Sequence, residues 1–308
     1  MKILLCYEKI PETMNAVSEI LSENGFDCEI MHYENSESLQ KYLRKNDIGA
    51  LVSSENRVLS RCKNPTVPKV FVASDYCCLQ KLSAKCDLYT VPSHELSFDF
   101  INSGATDKNV SITGIPICKS ITTLTDKKTA CKNIGINGEK PVFAVFTQGA
   151  SGREVRTTVN SVLLLCKETR VILAVADSGE KTYYSSLYCK DRDVYVIEEK
   201  HNGSLCISAS DAVFTVARAE MSTAVARACK SLILLHSATA RYKENASFFD
   251  KRGIGFCGKT AADNASYAGR LLESVRLKHN MTEAQKKYIP TDTDQLFLKN
   301  FYTFSEKF

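Results

Sequence analysis

The sequence predicts an α/β protein made of two Rossmann-like, doubly wound domains facing a cleft. Short aliphatic runs alternate with segments whose apolar residues recur at helical spacing, the pattern of βαβ units. The alternation occurs twice, on either side of a polar stretch from 119 to 140. A length of 308 residues also suits two cores better than one. The expected limits are 1–118 for the first domain, 119–140 for a linker, 141–285 for the second domain and 286–308 for a helical tail.

In the first half, Lys2 to Cys6 is an apolar run of the kind that opens a parallel sheet. Pro11 suits the first turn of a helix that places Met14, Val17, Ile20 and Leu21 on one face, and Asn24-Gly25 stops it. Phe26 to Met31, Ile48 to Val52, Val70 to Val72, Leu88 to Val91 and Val110 to Thr113 read as further strands. Leu39, Tyr42 and Leu43 mark one intervening helix, and Leu96 and Phe100 mark another that ends at Gly104. Gly114-Ile115-Pro116 closes the unit with a rigid exit. The stretch from 119 to 140, rich in Thr, Lys and Asp, holds one short helix and reads mainly as the connection.

The second alternation begins with Val142 to Phe146. Val155, Val159, Val162, Leu163 and Cys166 form a helical stripe, and Val171 to Ala176, Val194 to Ile197, Ala212 to Val216 and Leu232 to Leu235 are strands. Met221, Ala224, Val225 and Ala228 lie on a helix between the last two strands. Tyr267, Leu271 and Val275 mark a further helix, and Phe297 to Phe304 a terminal aromatic one packed on the body.

Composition narrows the functional classes. With 44% hydrophobic and 24% charged residues, the chain is an ordinary folded, soluble protein. A formal charge of +5, with no dense Lys/Arg block, argues against nucleic acid as a partner. It is compatible either with a plain solvated surface or with an anionic membrane or phosphorylated ligand. The 13 cysteines are odd in number and irregularly spaced, with no C-x-x-C and no zinc-finger pattern. Buried free thiols in a reducing cytoplasm fit them: Cys6 in a strand, Cys166 and Cys229 on helical faces, and a chance vicinal pair at Cys77-Cys78. The apolar run in MKILLCYEKIPE is too short for a signal peptide or membrane span. The expectation is a cytoplasmic protein, peripheral at most on the inner face of a membrane.

Several positions have chemical potential, each beside a plainer structural role. Gln148-Gly149-Ala150-Ser151-Gly152 turns a strand into a helix, so it can be an anion cradle, aided by Arg153 and Arg156, or simply a tight turn. It is neither a Walker A loop nor G-x-G-x-x-G. Val216-Ala217-Arg218-Ala219-Glu220 is a second such junction, with no glycine and with Glu220 opposing an anion. Glu8 and Asp75 follow strands at the carboxyl edge of the first sheet, where open α/β sheets bind ligands, and either can serve as a general base. The five histidines are scattered, and no metal site or cofactor is expected.

Ser74-Asp75-Tyr76, the strand Asp87 to Ser93, the helix ending at Gly104, and the exit Thr113 to Ile117 resemble the diacylglycerol glycosyltransferases in order and spacing over about 45 residues. That family comprises the monogalactosyldiacylglycerol synthases and processive glucosyltransferases, and is related to the peptidoglycan N-acetylglucosaminyltransferase. Gly149-Ala150-Ser151-Gly152, Ser208-Ala209-Ser210-Asp211 and Glu244-Asn245-Ala246 with Gly253 resemble it more loosely. The resemblance implies a GT-B fold, a UDP-sugar in the second domain, and a lipid acceptor presented by a membrane-docked first domain. It also implies metal-free transfer in which helix dipoles and loop amides hold the departing diphosphate. The nucleotide-sugar contacts it implies are Gly149, Ser151, Gly152, Ile197, Arg218, Ala219, Glu220, Met221 and Asn245, with Glu8 and Asp75 as catalytic carboxylates.

The chain departs from the family at its chemical positions. The Gly- and His-rich loop after strand one is Tyr7-Glu8-Lys9-Ile10-Pro11-Glu12, and the His and Trp after the Asp-Tyr turn are Leu79 and Leu82. The family's donor-signature threonine is Met221, its ribose-binding glutamate is Ala224, and the Gln of its sugar motif is Tyr242. Two main functions fit: a divergent glycosyltransferase using a UDP-sugar and a lipid or lipid-linked acceptor, or an inactive relative serving as a binding or regulatory subunit for a protein partner. A nucleotide-sugar epimerase is a third.

Overall fold

The computed structural model describes residues 1–8, 12–64, 66–77, 82 and 84–306. They form two compact units, Met1–Cys118 with Pro290–Phe308, and Lys119–Ile289. Pro11, Cys78 and Leu79, like Lys9 and Ile10, lie outside the described residues.

The first unit is a six-stranded, all-parallel sheet: β1 (Lys2–Tyr7), β2 (Asp27–His32), β3 (Ala50–Ser53), β4 (Lys69–Val72), β5 (Leu88–Val91) and β6 (Val110–Ile112), in the order β2-β1-β3-β4-β5-β6. Its first strand shows why the apolar run is continuous. Successive side chains point to opposite faces, and both faces are buried. Leu4 and Cys6 join Leu51, Phe71 and Val91 in a core with Leu39 and Leu43 of α2 (Ser36–Lys45), Val58 and Leu59 of α3 (Asn56–Arg61), and Leu96 and Phe100 of α4 (His94–Asn102). Ile3 and Leu5 face the other way, toward Met14, Val17, Ile20 and Leu21 of α1 (Glu12–Glu23) and Phe297, Phe301 and Phe304 of α14 (Thr293–Ser305).

α14 therefore belongs to the first unit. Phe301 meets Phe26 edge-on at 5.3 Å, and the Tyr302 hydroxyl donates to the Asn24 carbonyl at 3.2 Å. Its return also explains the Gly-Pro exit. Gly114 has φ +84, and the space a Cβ would need is taken by the Thr293 side chain and by Pro290, 3.3 Å away.

The second unit is a five-stranded parallel sheet ordered β11-β10-β7-β8-β9. The strands are β7 (Val142–Phe146), β8 (Arg170–Val175), β9 (Val194–Glu198), β10 (Ala212–Val216) and β11 (Ser231–Leu235). Around it lie α5 (Lys119–Thr122), α6 (Lys127–Asn133), α7 (Gly152–Leu165), α8 (Ser178–Leu187), α9 (Glu199–Ala209), α10 (Ala219–Arg227), α11 (Ala240–Lys251), α12 (Ala261–Glu273) and α13 (Val275–Tyr288). The stretch 119–140 is tied into this unit. Asp211 Oδ2 accepts both the Val142 amide at 2.8 Å and Lys127 Nζ at 2.6 Å, and the Thr125 amide donates to Ser208 Oγ at 3.2 Å.

Two sequence expectations change. Val275 does not continue the stripe of Tyr267 and Leu271: Ser274 accepts the Leu277 amide at 3.3 Å and starts a new helix, leaving Val275 85% exposed. Cys229 is not on a helical face. It lies beyond the end of α10 with φ +51, closing that helix in the left-handed position usually given to glycine.

The described cysteines form no disulfide. Burial pushes the thiols of Cys6, Cys86 and Cys206 up from 9.0 to about 12. Glu55 adds to the effect at Cys6, and Glu199 at Cys206. In the folded chain these thiols keep protons that the unfolded chain releases above 9, so their contribution is complete below pH 9 and is lost as pH climbs toward 12. Urea titrations at rising pH are expected to show stability falling through that window, and a Cys6→Ala, Cys86→Ala, Cys206→Ala triple variant a shallower fall. Phe301→Ala, which empties a fully buried site under β1, is expected to cost about 3–5 kcal/mol in the same titration.

Candidate functional site

In a parallel sheet the carboxyl-end loops of two adjacent strands diverge where the strand order reverses, leaving a crevice. In the first sheet that point lies between β1 and β3, and in the second between β7 and β10. Glu8 falls beside the first point and Arg218, with the Gly149–Gly152 turn, beside the second, whereas Asp75 and Ile197 lie further along their sheets.

At the first, Glu8 follows β1 and Glu55 follows β3. The Glu8 amide donates to Glu55 Oε1 at 3.0 Å, and Glu8 Oε1 pairs with Arg57 at 3.1 Å. Arg57 is 67% exposed, so this is a solvated ion pair that moves easily. Asp75 follows β4, one strand further along, where Ser74 Oγ donates to its carboxylate at 3.4 Å. Glu8 and Asp75 thus share one edge of one sheet with β3 between them, about 10 Å apart in strand spacing. Tyr7 is buried, edge-on to His32 at 6.2 Å.

At the second point the two strand-to-helix junctions meet. Arg218, which follows β10 and is 4% exposed, donates a short hydrogen bond to Gln148 Oε1 in the loop after β7. The same nitrogen lies 3.4 Å from Glu199 Oε1 at the start of α9. Gly149 needs its glycine: φ is +84, and a Cβ would come within 2.9 Å of Val216 and 3.1 Å of the Tyr242 ring. At Gly152 a Cβ would find only Tyr184 Oη, at 3.7 Å. Ser151 caps α7 by accepting the Glu154 amide at 3.2 Å. Glu154 accepts the His236 amide at 3.2 Å, and Glu180 accepts Thr147 Oγ1 at 2.5 Å and the Ala176 amide at 3.1 Å. Carboxylates therefore ring this edge.

The remaining candidates divide by depth. Gly149, Ser151 and Gly152 are exposed, and Ile197 and Glu220 are half-buried, Ile197 on the edge strand β9. Ala219 and Met221 are buried. Asn245 is also fully buried, and its Nδ2 donates to the Ala217 carbonyl at 3.0 Å, fixing the backbone one residue before Arg218. Ala224 is 4% exposed. Arg218 makes no side-chain cap on α10, whereas Ser151 caps α7 and Asp177 caps α8. The first turn of α10 thus lacks the N-cap side-chain oxygen that α7 and α8 have, and it begins beside the reversal point.

Sequence reasoning singled out Arg218 and named Gln148 in the loop after β7 without pairing the two, and it passed over Glu199, Glu55 and Arg57. Their common signal is position: each follows a strand end, but which ends adjoin a reversal depends on strand order. Among the described residues, no group of three or more His, Cys, Asp and Glu could hold a metal ion.

The fold is a GT-B fold, two parallel-sheet α/β units of the kind shared by glycosyltransferases and UDP-sugar epimerases. Solved structures that match it include Staphylococcus aureus MnaA with UDP (TM-score 0.74, 13% identity, 99% of this chain and 97% of that one). UDP-GlcNAc 2-epimerase from Neisseria meningitidis bound to UDP-GlcNAc matches with a TM-score of 0.71, 12% identity and coverage of 98% and 100%. MurG from Acinetobacter baumannii matches with 0.69, 11% identity and coverage of 98% and 99%. No family model matches the sequence. It is similar to the processive diacylglycerol beta-glucosyltransferase of Staphylococcus aureus strain Newman, with 21% identity over 234 residues, 75% of this chain. The match covers 60% of that enzyme's length.

Asn245→Ala is expected to lower stability by about 1–3 kcal/mol, because the buried Ala217 carbonyl loses its donor. A urea midpoint unchanged from the parent would show that Asn245 does not anchor this turn.

Proposed function

We propose that the chain is a glycosyltransferase that moves a sugar from a UDP-sugar to a lipid or lipid-linked acceptor. The observation that carries this reading is the meeting of the β7 and β10 junctions through Gln148 and Arg218 at the strand-order reversal. The donor diphosphate binds there, against the exposed Gly149–Gly152 turn and the first turn of α10, with Ile197 at the β9 edge beside the nucleoside. Arg218 supplies a positive charge, and the α7 and α10 dipoles favour the charge that builds on the leaving diphosphate. Ala219, Glu220 and Met221 contribute backbone rather than side chains, and Asn245 acts through the turn it anchors. In the first unit Glu8 or Asp75 takes the proton of the acceptor hydroxyl as the oxygen attacks the anomeric carbon and the UDP oxygen departs. The distant similarity to a diacylglycerol glucosyltransferase supports a lipid acceptor, and the UDP-bound neighbours support the donor class.

A second reading has its own observation. Arg218 is held by Gln148 and Glu199 at the place a phosphate would occupy, and carboxylates ring the edge. With Ala224 where a ribose-binding carboxylate is expected, the chain would then be an inactive binding or regulatory subunit with a protein partner.

Calorimetric titration with UDP and UDP-sugars, followed by an assay of UDP release in the presence of membrane lipids, separates the two. The catalytic reading predicts saturable binding, weakened about 10- to 100-fold in Arg218→Ala by loss of a charge-assisted hydrogen bond. It also predicts turnover that falls in Glu8→Ala or Asp75→Ala while UDP affinity holds. Absence of binding at about millimolar nucleotide, an affinity of −4 kcal/mol or weaker, would eliminate it.

A further inference from the structure

One end of the second unit combines apolar exposure and positive charge in a way its core does not require. α7 and α8 leave the carboxyl ends of β7 and β8 and return to the amino ends of β8 and β9, so their last turns lie at the amino edge of the sheet. α12 runs alongside α7: its Asn264 donates to the Leu234 carbonyl near the end of β11, and Cys166, just past α7, lies 3.2 Å from the Ala265 carbonyl. α13 then crosses the start of β11, with Gln285 donating to the Lys230 carbonyl at 2.8 Å. The ends of α7, α8 and α12 and the start of α13 thus share this edge.

Large apolar side chains stand exposed there: Leu164 at 74%, Leu165 at 47%, Leu187 at 45%, Leu272 at 39% and Val275 at 85%. Beside the last two, Arg270, Glu273, Ser274, Arg276, Leu277 and Asn280 line an open cavity of about 590 Å³. Lys167, Lys190, Arg192, Arg270, Arg276 and Lys278 stand exposed at the same edge, outnumbering the exposed Asp191 and Glu273 among them, and none of these cations enters an ion pair among the described residues. Two of the acids at the same edge are engaged, Glu168 with Lys140 at 3.0 Å and Asp193 with Arg170 at 3.6 Å.

We propose that this edge docks on an anionic lipid bilayer, with Val275 and the leucines entering the interface and Arg270 and Arg276 holding a phosphate headgroup at the cavity. Shallow apolar insertion inside a ring of Lys and Arg is the arrangement that binds anionic membrane surfaces. Charge favours this occupant over a second copy of the chain, because a two-fold interface would set the same cationic rim against itself. This surface is distinct from the first unit, to which the family resemblance assigns membrane docking, and it needs no donor chemistry.

Co-sedimentation of the full chain with phosphatidylglycerol/phosphatidylcholine vesicles tests it without any sugar substrate. The chain is expected to pellet with these vesicles, much less with pure phosphatidylcholine, and less again in about 0.5 M salt. Arg270→Glu with Arg276→Glu is expected to lower partitioning at least about tenfold, as is Val275→Asp. Phe98→Asp, on the 63% exposed side chain of α4, is expected to have little effect. The variants change exposed side chains, and an unchanged far-ultraviolet dichroism spectrum confirms their fold. Equal pelleting with neutral vesicles, parent-like binding by both patch variants, or loss of binding only in Phe98→Asp would overturn the proposal. So would failure of the parent to bind, or a parent dimer in sedimentation velocity that Val275→Asp dissociates.

Discussion

A parallel sheet must bury both of its faces, because every strand-to-strand return passes over one face or the other. Much of this molecule follows from that requirement. It makes β1 and β7 apolar at nearly every position and demands helices above and below each sheet. It also places every loop that follows a strand at a single edge. The reversal of strand order beside β1 and beside β7 then separates two neighbouring loops in each unit. The candidate chemistry gathers at those separations, where Glu8 adjoins Glu55 and Arg218 adjoins Gln148.

The strands were the most legible part of the sequence, because a continuous run such as Val142 to Phe146 has few other uses. Helices that the pattern did not signal, among them α8 and α9, carry weak stripes: α8 buries only Tyr184. The break at Ser274 was hidden because Tyr267, Leu271 and Val275 keep helical spacing across it, and only a capping hydrogen bond shows that the last of the three has left the helix. Gly114 could be read as a turn residue, but its steric reason comes from Thr293, remote in sequence. The site was legible only as positions. That Arg218 would be buried against Glu199 requires knowing that the loops after β9 and β10 approach each other, a fact about packing with no local pattern in the residues.

The same residues look different once their surroundings are known. Asn245, attractive as a ligand-binding amide, is the donor that steadies a turn. Gly149 resembles part of a phosphate loop, yet its missing side chain is required by Val216 and Tyr242 whether or not a phosphate is present. Gly152, exposed and with room for a side chain, and a first turn of α10 that has no side-chain cap from Arg218 carry no such packing requirement.

The packing of α14 on the first sheet has a consequence for the order in which the molecule assembles. During synthesis the whole of the second unit, through Ile289, is made before α14. Until Phe297, Phe301 and Phe304 arrive, the face formed by Ile3, Leu5, Val52 and Val72 is covered, among the described residues, by α1 and its neighbour Phe26. The unit translated first is therefore completed last, and in the interval its nascent surface is a natural target for a chaperone.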